Sequence, residues 1–104
     1  MDKKVRIGHY DFEIIFTDEK IIDEKGIELW GKVDWVENKI FIYNGLNKQL
    51  KQSTLIHEIL HCIFSQCGFD GDKKEENIIR RLEPVLTEFI LENDIKKELE
   101  DLEP

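Results

Sequence analysis

A chain of 104 residues has length for one domain, and 40% hydrophobic and 10% aromatic residues are too many for a disordered one. The net charge of −8 argues against a basic nucleic-acid binder, and no basic amphipathic stretch suggests binding to anionic membranes. The excess is uneven: residues 83–104 hold eight acidic residues against two lysines, a net of −6, so the domain is expected to carry an acidic C-terminal segment.

Behind the opening charges lies no apolar stretch of the kind a secretory signal needs, and no run approaches the length of a membrane span. Cys62 and Cys67 fall in one expected helix, where five residues separate Cα atoms by roughly 8–9 Å, beyond disulfide reach. Free thiols without an export signal predict a cytoplasmic protein.

In chain order, residues 5–7 and 10–17 read as strands, rich in Ile, Phe, Tyr and Val. Residues 18–26 are polar apart from Ile21-Ile22 and have no clear pattern. Residues 29–36 and 39–43 form two further β-like runs around Glu37-Asn38, a hairpin signal in which Asn can take positive φ. Trp30 and Trp35 beside it are expected in the core or lining a cleft.

Helical spacing begins near residue 47. Leu50, Ile56, Leu60, Ile63, Phe64 and Cys67 follow one stripe, Cys62 reads as a buried small residue, and Gly68 is the expected stop. A second helical pattern spans about residues 73–93, with Ile78, Ile79, Leu82, Val85, Leu86, Phe89 and Ile90 on one face. Pro84 should kink or break it. A short amphipathic turn through Ile95, Leu99 and Leu102 completes an α+β domain covering residues 1–104.

The first helix carries His57-Glu58-Ile59-Leu60-His61, an HExxH motif. Histidines four apart on a helix differ by about 40° in direction and 6 Å in height, so both imidazoles can reach one metal ion. Glu58 is the candidate general base for a water activated there. The competing reading is a pair of surface histidines bordering the apolar stripe.

Two histidines need a third ligand. The second helix offers Glu75 first, at the centre of its apolar face, where a carboxylate is costly unless paired or metal-bound. Asp72 and Glu75 also fit a capping box, which would explain Glu75 without a metal. Glu76 is the second candidate; Glu83, His9, Asp70 and Asp72 remain behind it.

At these residues the chain resembles the small zincin-like metallopeptidases often encoded by phages and prophages. The likeness covers roughly residues 28–93. It rests on Trp30-Gly31-Lys32-Val33-Asp34, the strand Lys39-Ile40-Phe41-Ile42, the Thr54-Leu55-Ile56-His57-Glu58-Ile59-Leu60-His61 helix, and Glu75-Glu76-Asn77-Ile78-Ile79-Arg80-Arg81-Leu82 beyond a glycine-containing loop.

The resemblance implies a minimal zincin: a small twisted sheet packed on the HExxH helix and its partner. His57, His61 and Glu75 would hold Zn²⁺, with Glu58 as base. The strand Lys39–Tyr43 would be the sheet edge lining a peptide cleft, and Tyr10 and Tyr43 would be candidate oxyanion stabilisers. The implied substrate is a peptide or protein. A different class of function also fits: a zinc-stabilised, acidic, non-enzymatic inhibitor of anti-CRISPR type. It would block a host nucleic-acid-processing protein such as a CRISPR nuclease in the host cytoplasm, without binding nucleic acid itself.

Overall fold

The structure, a computed structural model, describes residues 3–69, 71 and 73–104. It is an α+β arrangement with its strands first. Six strands, β1 (Lys3–Ile7), β2 (Tyr10–Thr17), β3 (Ile21–Ile22), β4 (Glu28–Leu29), β5 (Gly31–Asp34) and β6 (Lys39–Tyr43), precede α1 (Lys48–Gln66), α2 (Glu75–Glu92) and the short α3 (Ile95–Glu100).

Four strands form one sheet in the order β1-β2-β6-β5. β1 and β2 pair antiparallel around Gly8, whose φ of 59° suits glycine in a tight turn. β5 and β6 are the expected hairpin, with a four-residue turn over 35–38. Asn38 takes φ 56°, and the Asp34 carboxylate accepts from the Val36 and Glu37 amides.

Between these hairpins β2 and β6 pair in parallel, with Ile14 opposite Ile40 and Phe16 opposite Ile42. That pairing makes β6 an interior strand, and the edge beside α1 is β5. The expectation that Lys39–Tyr43 lies at the edge is therefore corrected. Ile40 and Ile42 are fully buried because a second strand covers each side and a helix covers the face.

The unassigned polar stretch becomes a two-stranded ribbon of β3 and β4. Asp23 organises its turn by accepting from the Lys25 and Ile27 amides, and Gly26 takes φ 80°. The run expected over 29–36 is thus divided, and its first part carries Glu28, Leu29 and Trp30 out of the main sheet.

α1 starts at Asn47, whose side chain accepts from the Leu50 amide at 2.8 Å, and it ends before Gly68 at φ 80°. It packs on β1, β5 and β6 on one side and on α2 on the other. Its sheet-facing residues are Leu55, Ile59 and Cys62, which join Ile7, Phe12, Ile40 and Ile42 in the core. Ile63 and Cys67, expected on the buried stripe, are exposed. A helix buried on two separate sides has no single apolar stripe, and its residues divide between the two contacts. Both cysteines are free, and burial pushes the Cys62 thiol up to about 12.

Gln66 at the end of α1 ties the helix to the β1–β2 turn. Its amide donates to the Ile7 carbonyl and accepts from the His9 N–H. α2 runs through Pro84 without a break. Its substantial packing partner is α1, against which Ile79 is fully buried. No helix among the described residues is long and apolar enough to cross a membrane.

Candidate metal centre

The motif histidines lie where α1 faces α2, half-buried, one turn apart. Their ring centroids are 4.9 Å apart and their Nε2 atoms 3.2 Å apart. From the first turn of α2, Glu76 spans the pair: Oε1 lies 3.0 Å from His57 Nε2, and Oε2 lies 2.9 Å from His61 Nε2. Among the described residues, His57, His61 and Glu76 form a group able to share one metal ion, with donor atoms all within 4.8 Å of one another.

Glu75 occupies a different place. Its Oε1 lies 3.1 Å from Nδ1 of His61, on the far side of the ring from the Nε2 cluster. The structure therefore brings Glu76, the second-ranked candidate, to the shared nitrogens and sets Glu75 behind one of them. Lys74 is the N-cap of α2, without a side-chain cap bond, and Glu75 is the first helical residue. Glu75 thus does not stand at the third helical position that a capping box needs; Asp72, the other half of that box, lies outside the described residues, as does Asp70.

The remaining candidates are accounted for elsewhere. Both oxygens of the buried Glu83 carboxylate are occupied, by the Ser53 hydroxyl at 2.6 Å and the Thr87 hydroxyl at 2.7 Å. His9 sits in the exposed β1–β2 turn, held through its backbone by Gln66.

Tautomer chemistry decides what the cluster can hold. A carboxylate accepts, so with the His61 proton on Nδ1, towards Glu75, the ring presents an Nε2 lone pair. That lone pair faces Glu76 Oε2 and His57 Nε2. Burial lowers the pKa of His57, against the raising influence of Glu76, which favours a neutral ring there too. Electron-pair donors gathered within 4.8 Å of one another repel unless a cation, either a proton or a metal, lies among them. Tetrahedral zinc with bonds of 2.0–2.1 Å sets its donors about 3.3 Å apart, close to the 3.2 Å between the two Nε2 atoms, each of which has one Glu76 oxygen within 3.0 Å.

Burial alone would push Glu76 up, but the Arg80 hydrogen bond at 3.1 Å and the two imidazoles hold its carboxyl below the ordinary value. It stays ionised and ready to ligate. Burial pushes the Glu58 carboxyl up to about 7, against an opposing pull from His61. A carboxyl near neutrality can both take and return a proton.

These groups line a cleft of about 750 Å³ between the β4–β5 segment and α2, with Trp30 and Gly31 on one wall and Arg80 and Glu83 on the other. At Gly31 the sheet edge lies close against α1. A Cβ there would stand 2.7 Å from Thr54 Cγ2 and 3.1 Å from Glu58 Cγ. Trp30 lines the cleft and Trp35 packs edge-on against Phe12, 6.5 Å between centroids.

No family model, curated protein or solved structure matches the chain. Trp30 lines the cleft, one of the two places expected for it, whereas Glu28, Leu29 and Gly31 beside it carry no signal in the sequence of a lining role. Arg80 was missed because a lone arginine on a polar helix face has no signature.

Proposed function

We propose that the chain is a zincin-like metallopeptidase in which His57, His61 and Glu76 hold Zn²⁺ and Glu58 is the general base. The observation that carries this reading is the convergence of the His57 Nε2, His61 Nε2 and Glu76 carboxylate donors, with Glu75 fixing the His61 tautomer from behind. The paired carboxylate and imidazole of Glu75 and His61 is the outer-shell arrangement that orients metal-binding histidines in general. The ion, when bound, supplies Lewis-acid polarisation of a carbonyl.

The chain's own groups then do the rest. The exposed edge of β5 offers backbone donors and acceptors to an extended peptide, which would lie along the cleft between Trp30 and α2. Glu58 takes a proton from the attacking water onto its carboxylate and returns it to the leaving amine, a cycle suited to a carboxyl near neutral pH. Arg80, held at the cleft by Glu76, directs its remaining guanidinium donors towards an anionic or carbonyl group of the substrate.

The test joins metal content to turnover. Zinc measured in purified wild type should approach one ion per chain and vanish in His57→Ala/His61→Ala. Zinc-loaded wild type should cleave members of a random peptide library read by mass spectrometry, and Glu58→Gln should not. Equal zinc in wild type and the double variant, or cleavage that persists in Glu58→Gln, would overturn the proposal.

A further inference from the structure

α2 does not present the middle of its apolar face to α1. At 100° per residue, Ile78, Ile79, Leu82, Leu86 and Phe89 centre close to Glu75. The buried residues of α2 are Ile79 and Glu83, and the direction midway between them lies about 70° round the helix from that centre. Ile78, Leu82, Val85 and Phe89 are left 45%, 41%, 70% and 48% exposed. Burial of apolar area alone would roll α2 the other way, until Leu82 and Phe89 met α1. A polar contact must hold it where it is.

Glu83 makes that contact. Its Oε1 accepts from the Ser53 hydroxyl of α1 at 2.6 Å, and its Oε2 accepts from the Thr87 hydroxyl, one turn further along α2, at 2.7 Å. Both lengths match the range of about 2.5–2.7 Å for a hydroxyl donating to an ionised carboxylate, among the stronger hydrogen bonds. Thr87 fixes the carboxylate on its own helix, and Ser53 fixes it to the neighbouring one. Ser53 stands one turn before His57 on α1, and Glu83 stands two turns beyond Glu76 on the same stripe of α2. The Ser53–Glu83 bond therefore holds the rotation that sets Glu76 before the histidines.

We infer that Glu83 is a positioning residue: through Ser53 it sets the rotation of α2 on α1, and so selects Glu76 rather than Glu75 as the carboxylate of the cluster. A buried polar group between packed helices can fix their register, because another register leaves it without its partner. Once the bond is removed, α2 rolls by about 70° onto its apolar face. Glu75, at the centre of that face, then comes forward, and Glu76 swings out to solvent. The consequence for zinc rests on the metal reading proposed above; the rotation itself does not.

Hydroxyl-radical footprinting of the full chain reports the rotation, with chelator present so that no metal ion holds α2. Read by mass spectrometry, Leu82 and Phe89 should oxidise readily in wild type. In Glu83→Leu both should be protected several-fold, with circular dichroism unchanged. Glu83→Gln, which still accepts from one hydroxyl, should keep the wild-type pattern. Ser53→Ala leaves α2 itself intact and should shift the pattern as Glu83→Leu does, which keeps the test open if Glu83→Leu fails to fold. Zinc is then titrated into the same proteins against a chromogenic chelator. Affinity should fall about 10–100-fold in Glu83→Leu, the usual loss for a group acting behind a ligand. In that background Glu75→Gln should cost more affinity than Glu76→Gln, the reverse of the wild-type order. A merely structural role for Glu83 would lower the melting temperature and leave that order as it was. The inference is overturned if Leu82 and Phe89 stay as reactive in the variants as in wild type, or if the order of the two glutamates does not change. A wild type that takes up no zinc would refute the metal reading alone, since the footprint judges the rotation without it.

Discussion

Glu75 Oε1 and His61 Nδ1 lie 3.1 Å apart, and this contact turns the other nitrogen of His61 towards His57 and Glu76. Two adjacent glutamates thus address the two nitrogens of one imidazole. One residue along a helix rotates the side chain by 100°, which is enough to carry Glu76 in front of the ring and leave Glu75 behind it.

The two glutamates should therefore separate by substitution. Glu76→Gln removes a charged donor and should weaken zinc by more than the roughly 10–100-fold expected for Glu75→Gln, the usual loss for an outer-shell partner. Competition with a chromogenic chelator measures both. A larger loss in Glu75→Gln would exchange their roles.

Glu58→Gln should keep its zinc while peptide cleavage falls by about 10²–10⁴-fold, the usual contribution of a general base. Melting temperature should not fall, because a neutral amide replaces a carboxyl whose ionisation burial already opposes. Were the chain instead an acidic inhibitor, Glu58→Gln would retain full inhibition. Charge reversal at Glu88, Glu92, Glu98 and Glu100 would slow its association in a salt-dependent way. Glu83 does not belong to that surface, since it is buried against Ser53 and Thr87.

Zinc bridging α1 and α2 would also tie α2 to the rest of the domain, because α2 packs chiefly on α1. With free zinc at about 100 times Kd, the ion adds about 2.7 kcal/mol, so chelation should lower the melting temperature by about 10 °C. Differential scanning calorimetry with and without chelator reads the change. An unchanged transition after confirmed metal loss would show that packing alone seats α2.

Gly31→Val should destabilise the domain by about 1–3 kcal/mol, the usual cost of overpacking, since even a Cβ there would press on Thr54 and Glu58. Chemical denaturation measures the cost. Gly26→Ala, at a position open to solvent but at φ 80°, serves as a control for backbone strain without crowding.

Features that depend on neighbours in the chain were legible in the sequence. Asn38 at positive φ, the β5–β6 hairpin, the Gly68 stop and the placing of His57 and His61 on one helix all follow from local sterics and helical period. Of the kink or break expected at Pro84, the break does not occur, because a proline removes one hydrogen bond and a helix docked on a neighbour can bear that loss.

Other features needed the tertiary structure. Periodicity says which residues share a face but not what that face meets, so α1 showed one stripe where two contacts exist, and α2 showed one apolar face of which half is left open. The parallel pairing of β2 with β6 joins segments more than twenty residues apart, and it alone made β5 the edge beside the cleft. The sequence by itself determined that His57 and His61 would share a helix face. Which carboxylate meets them, Glu75 or Glu76, was decided by where α2 begins and how it lies across α1, because a rotation of one residue exchanges front for back.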